Sequence, residues 1–187
     1  MSGHGHIDPS NKKVALLIAV LAAVLAFSET LGKGAQTSAL SLNIEASNLW
    51  SFFQAKTIRM TAVRTAAEAL EAELPPNASP QAKAAAEKRI AEWKKTAARY
   101  DSEPETQEGR KELAARAKAA EQKRDVTLAA YHQYEVASAA LQLAIVLASA
   151  TVITNVGFLM WAAAGLGVVG VVFCIVGFVA PTAIHLF

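Results

Sequence analysis

The chain has 187 residues, of which 53% are apolar and 18% are charged, and its mean hydropathy is +0.27. Only 7% are aromatic, and this aliphatic, alanine-rich composition is typical of long helices and membrane spans rather than of an ordinary soluble domain. The 18 basic and 16 acidic residues interleave along the chain, which argues against a nucleic-acid partner, and the single cysteine excludes an internal disulfide framework or a multi-cysteine metal site.

After a polar tail (residues 1–11), residues 12–31 predict a first transmembrane helix. The run from Val14 to Phe27 has no charge, and the 18 residues from Val14 to Leu31 are at the lower end of what spans a bilayer. Lys12 and Lys13 would also fit the start of a cleaved signal peptide, but no small-x-small cleavage site follows the run. We therefore expect a retained membrane anchor.

Residues 32–135 predict a helical hairpin outside the membrane. Gly32 and Gly34 predict a hinge at its start. Two long helices (35–74 and 105–135) are expected on either side of a middle helix (79–100), because Pro75 and Pro76 stop the first of them. A capping box of Ser102 and Glu105 is expected to open the returning helix.

The first hairpin helix carries a heptad pattern, which predicts coiled-coil packing. Its seam reads Leu42, Ala46, Leu49, Phe53, Lys56, Met60, Val63, Ala67, Leu70 and Leu74. We expect Lys56, the one charged residue in the seam, to fix the register of packing rather than to serve catalysis. Trp50 and Phe52 flank the seam and, with Phe53, are candidate interface residues.

Two further transmembrane helices are predicted, at residues 136–156 and 158–180, before a short tail (181–187). The second span is the end of a stretch from Arg110 to Val156 that has neither glycine nor proline, which favours one continuous helix. The third has a stripe of small residues at intervals of four and three, which predicts close helix packing and a candidate interface. This stripe consists of Ala163, Gly167, Gly170, Cys174 and Gly177.

Glu29 and Gln142 each fall a turn or two inside the predicted membrane from the hairpin side. A carboxylate at this depth either reaches back to the interface or is paired. We expect the two side chains to form a polar pair between the first and second spans.

Two segments resemble a known family. They are the Trp50–Arg59 segment (WSFFQAKTIR) and Tyr134-Glu135 with the following Leu141–Ser149 run. Both are similar to segments of an uncharacterised bacterial membrane family, domain of unknown function 4337. The resemblance covers most of the chain outside the first dozen residues and the middle helix. The resemblance implies a three-span protein with a helical hairpin and implies no activity. Phe52 and Phe53 stand where relatives often carry tyrosines, so a role for those hydroxyls would not transfer.

The predicted fold is therefore all-α, with three transmembrane helices and a long antiparallel coiled-coil-like hairpin outside the membrane. We expect a non-enzymatic structural or accessory protein of the bacterial inner membrane, without cofactor or metal, because no phosphate loop, histidine cluster or nucleophile elbow occurs. Its expected partners are the lipid bilayer, further copies of itself and a membrane-complex partner docked on the coiled coil. The alternative is a small oligomeric channel or transport element lined by Glu29, Gln142 and Asn155. The charges that flank the spans do not decide which side of the membrane holds the hairpin.

Overall fold

The structure is a computed structural model that describes the backbone of residues 9–184 and the side chains of residues 12–184. Over this range the chain forms four α-helices and no strand: α1 (Pro9–Glu73), α2 (Pro80–Asp101), α3 (Arg110–Thr154) and α4 (Gly157–Val179). The helices divide between two compact units. Unit 1 comprises the described residues of 1–40 and 123–187, and unit 2 comprises residues 41–122.

Helix α1 has no break where a hinge was expected. Gly32 and Gly34 both lie within the uninterrupted helix Pro9–Glu73, so the prediction of a hinge was wrong. A single glycine costs a helix only about 1 kcal/mol relative to alanine, and Gly32 is buried against Tyr134 of α3, where a Cβ would lie 3.4 Å from the Tyr134 Cβ. Helix packing around Gly32 outweighs this modest local cost.

Helix α3 begins later than the expected capping box, which does not form. Residues 102–109 are a loop, and the carboxylate that stabilises it belongs to Glu112 in the first turn of α3. Glu112 accepts a hydrogen bond from the Ser102 hydroxyl (2.6 Å) and one from the Glu103 backbone N–H (3.1 Å). The bond from Ser102 lowers the pKa of the Glu112 carboxyl, because it favours the ionised form.

Unit 1 contains the apolar helical segments. α1, α3 and α4 are each long and apolar enough to cross a membrane, which is compatible with a membrane location. Two small clusters of buried residues join the three helices, one around Val14, Ala148 and Ala163 and one around Leu21, Leu141 and Ala144. Between α3 and α4 the chain reverses at Asn155, whose φ of 59° lies in the left-handed region that commonly ends a helix.

Unit 2 packs the later part of α1 against α2 and the start of α3. All ten seam residues from Leu42 to Leu74 are buried or half-buried, and Leu49 packs with Leu113 and Ala117 of α3. α2 begins at Pro80 and is capped by Ser79, whose hydroxyl accepts a hydrogen bond from the Ala82 N–H at 3.2 Å. It buries Ala86, Ile90 and Ala97, so one face of each helix in the unit is used for packing.

Candidate functional site

Lys56 lies at the centre of a buried polar cluster in unit 2. Its side chain is 9% exposed, and Nζ lies 3.8 Å from Glu103 Oε2 and 3.7 Å from Glu108 Oε2. The ammonium also lies 5.5 Å from the centre of the Tyr100 ring and 5.9 Å from that of Phe52. Both carboxylates belong to the loop between α2 and α3, so Lys56 ties this loop to α1.

Trp50 and Phe53 also face the interior of unit 2. The Trp50 Nε1–H donates to Glu121 Oε1 at 2.8 Å, and its ring meets Phe53 edge-on with 5.5 Å between centroids. The Arg110 guanidinium lies 5.0 Å from the centre of the Phe53 ring. These two interface candidates are therefore occupied by contacts within the chain, and of the three aromatic candidates only Phe52 is exposed, at 45%.

The exposed side of α1 in unit 2 carries an open depression next to Phe52. Every residue that lines it lies on α1: Ser41, Ile44, Glu45, Asn48, Leu49, Ser51 and Phe52. Ile44 is 52% exposed, and Ile58 further along the same face is 70% exposed. α1 therefore has a packed face with Lys56 and a second face with large apolar side chains in the open.

The small-residue stripe of α4 lies inside unit 1. Ala163, Gly167, Gly170 and Gly177 are buried and Cys174 is half-buried. A Cβ added to Gly167 would lie 2.6 Å from Leu21 Cδ2, and one added to Gly170 would lie 2.6 Å from Leu141 Cγ. The stripe is thus filled by side chains of α1 and α3, and it leaves little surface for a second molecule.

Glu29 and Gln142 are hydrogen bonded between α1 and α3, with Gln142 Nε2 donating to Glu29 Oε1 at 3.4 Å. They line a groove in unit 1 together with further polar residues, including Ser28, Lys33, Glu135 and Ser138. Ser138 donates to the Ser28 hydroxyl at 3.0 Å, and Ser28 donates to the Tyr134 carbonyl oxygen at 3.1 Å. Polar side chains therefore link α1 to α3 next to the apolar segments.

Gln133 is a buried polar residue that sequence reasoning missed. Its side chain is fully buried, and Nε2 donates to the carbonyl oxygens of Pro181 (3.3 Å) and Ile184 (2.9 Å). A Cβ added to Gly177 would lie 3.0 Å from the Gln133 Cβ. The available signal was a glutamine beside the apolar half of α3, but only the fold shows that it holds the segment after α4.

No metal centre is formed by the side chains of residues 12–184, where three or more His, Cys, Asp or Glu residues nowhere come together in a group that could hold an ion. The arrangement described above is that of an all-helical protein with three helices apolar enough to span a membrane. The model of the family named Domain of unknown function (DUF4337) matches residues 10–180, and the chain belongs to that family. No curated protein and no solved structure matches the chain.

Proposed function

We propose that the chain is a non-enzymatic integral membrane protein with a structural or accessory role. In this proposal it assembles into a homo-oligomer, and its extramembrane helical unit docks a membrane-complex partner. The three apolar helices support insertion into the bilayer. In this proposal the membrane is the bacterial inner membrane.

One observation carries this proposal, the contrast between the two faces of α1 in unit 2. The polar groups of the packed face are satisfied within the unit, as the contacts of Lys56 and Trp50 illustrate. The opposite face exposes Ile44, Phe52 and Ile58 without a cover from α2 or α3. Exposed apolar side chains that recur along one helix favour binding to another helix over a role in chemistry.

A channel is the second candidate function, and the groove with Glu29 and Gln142 favours it. An ionisable side chain beside an apolar span is a functional candidate by default. The groove is open, however, and its carboxylate accepts a bond from Gln142, so a structural polar pair explains it with fewer assumptions. Ion flux that depends on Glu29 would separate the channel from the scaffold.

The mass of the purified protein tests self-assembly. The 19.7 kDa chain should sediment in mild detergent as a species of at least two copies, because the exposed face of α1 would otherwise contact water. Analytical ultracentrifugation with density matching, which renders the detergent invisible, measures the mass of the protein alone. A protein that stays monomeric in detergent and in lipid nanodiscs at micromolar concentration would overturn the proposal.

A further inference from the structure

The exposed face of α1 has a heptad pattern of its own. Ten positions recur at alternating intervals of three and four, and none of them is charged: Ser41, Ile44, Asn48, Ser51, Ala55, Ile58, Ala62, Thr65, Ala69 and Ala72. Nine of the ten are exposed, and Ala55 is half-buried. We name this set the outer seam. It lies opposite the seam from Leu42 to Leu74, which we call the packed seam. The two sets are separated by about 150° around a helix with 3.6 residues per turn.

The shape of α1 along the outer seam matches one geometry of helix pairing. In a coiled coil each seam side chain inserts into a hole formed by four residues of the facing helix. Such holes consist of residues i, i+3, i+4 and i+7, which are neighbours on a helix surface. Ser41, Ile44, Glu45 and Asn48 line the depression described above and have this spacing.

The same depression continues through the next hole along the helix. Asn48, Ser51 and Phe52 line it, and Ala55 completes the spacing. If Ser41 and Asn48 occupy first positions of the heptad, Ile44 and Ser51 occupy fourth positions. Each of the two holes then surrounds a fourth position. In a parallel pair of helices, the fourth-position side chain of one helix enters the corresponding hole of the other.

We propose that the outer seam binds the outer seam of a second copy of this chain, so that two α1 helices form a parallel coiled coil. The inference rests on the self-assembly proposed above and names its surface and direction. All copies inserted in one membrane cross it in the same sense, so their α1 helices run parallel. A second copy is the occupant that always presents a matching seam in this direction.

The flanking residues are compatible with the parallel pairing. Across a parallel seam, the residue just before a first position faces the partner's residue just after the fourth position that follows it. Leu40, which precedes Ser41, therefore faces Glu45, which follows Ile44. The resulting pairs are Leu40–Glu45, Ser47–Phe52, Gln54–Arg59, Thr61–Ala66 and Glu68–Glu73. Only Glu68 and Glu73 bring like charges together, and they do so where α1 ends.

The outer seam is long enough for a specific interface. From Ser41 to Ala72 the helix rises about 46 Å. A strip of this length and about 10 Å wide on each copy buries on the order of 1,000 Å² in total, near the lower limit for specific association. Asn48 is the one asparagine of the outer seam and would select the register, as buried asparagines do in coiled coils.

Cysteine cross-linking in native membranes tests this pairing. In a Cys174→Ala background, Ser51→Cys and Thr65→Cys place a thiol at fourth positions of the outer seam, and Arg64→Cys is the matched control. We expect oxidation to give disulfide-linked dimers at residues 51 and 65 in at least tenfold higher yield than at residue 64. Maleimide labelling establishes that all three thiols react.

A second test of the pairing introduces a charged side chain into the outer seam. Ile58→Glu should shift the equilibrium towards monomer by at least tenfold in sedimentation, whereas Arg64→Glu, which adds the same group away from the seam, should leave it unchanged. Oligomers that cross-link equally at residues 51, 65 and 64, or that tolerate Ile58→Glu, would overturn the outer seam while self-assembly stands. A monomeric wild-type chain would overturn both proposals.

Discussion

Among the residues of unit 2, Lys56 is the one charged member of the seam from Leu42 to Leu74. A lysine in a heptad seam predicts a register-setting residue, and in the structure its ammonium lies near two carboxylates of the loop that follows α2. Removing one member of a buried ion pair leaves the other charge without a partner. The exposed fraction of Glu108 is 51%, however, so water screens part of this interaction.

Gly109 is the residue for which the structure makes the sharpest local prediction. A Cβ at this position would overlap the Glu112 carboxylate and the Glu103 backbone nitrogen, and would lie 2.7 Å from Ser102 Cα. We expect Gly109→Ala to lower the free energy of unfolding by about 1–3 kcal/mol, the usual cost of overpacking. Chemical denaturation in detergent, followed by circular dichroism, measures the loss.

Gly34→Ala is the matched control for Gly109→Ala. Gly34 lies within α1, and an added Cβ would meet nothing within 4 Å. Alanine should therefore raise the free energy of unfolding by about 0.5–1 kcal/mol, since it replaces a glycine inside a helix. Equal effects of the two substitutions would show that the loop around Glu112 is not packed as described.

At the scale of the element, α4 shows how a pattern of small residues is used. The stripe from Ala163 to Gly177 was a candidate interface between molecules, and the structure fills it with side chains of the same chain. Small residues let helices approach closely, but they do not indicate whether the neighbour belongs to the same chain. The contacts of α1 and α3 decide this point.

Gly170→Val tests the packing of α4. Its side chain would collide with Leu141, since a Cβ alone would lie 2.6 Å from Leu141 Cγ and 3.1 Å from the Ala137 carbonyl oxygen. We expect a loss of stability of about 1–3 kcal/mol or more, seen as a lower midpoint of thermal unfolding in detergent. Gly165→Val on the open side of α4, where nothing lies within 4 Å of a Cβ, should change the midpoint by less than a third as much.

At the scale of the whole molecule, the scaffold and the channel differ in what Glu29 does. If Glu29 and Gln142 are a structural pair, liposomes that contain the wild-type protein should pass monovalent cations no faster than protein-free liposomes. Glu29→Ala should then leave the flux at this background. Wild-type flux that falls severalfold in Glu29→Ala liposomes would identify a channel and contradict the scaffold reading of the groove.

The sequence by itself determined that the fold is all-helical and has three apolar segments, because long uncharged runs and helix periodicity are local properties of the chain. The family was indicated separately, by the resemblance of the Trp50–Arg59 and Leu141–Ser149 segments. It also indicated the packed seam of α1, since apolar residues at heptad spacing fold inward. It did not indicate the outer seam, because serine, alanine and threonine at the same spacing stand out only once their exposure is known.

Only the tertiary structure decided which candidates are free to meet another molecule. Trp50, Phe53 and the α4 stripe are used within the chain, because Glu121, Arg110 and Leu141 come from segments far away in sequence. The expected hinge at Gly32 and Gly34 and the capping box at Ser102 failed for the same reason. Both were local preferences worth about 1 kcal/mol, and they were outweighed by contacts with Tyr134, far away in the sequence, and with Glu112 in the next helix.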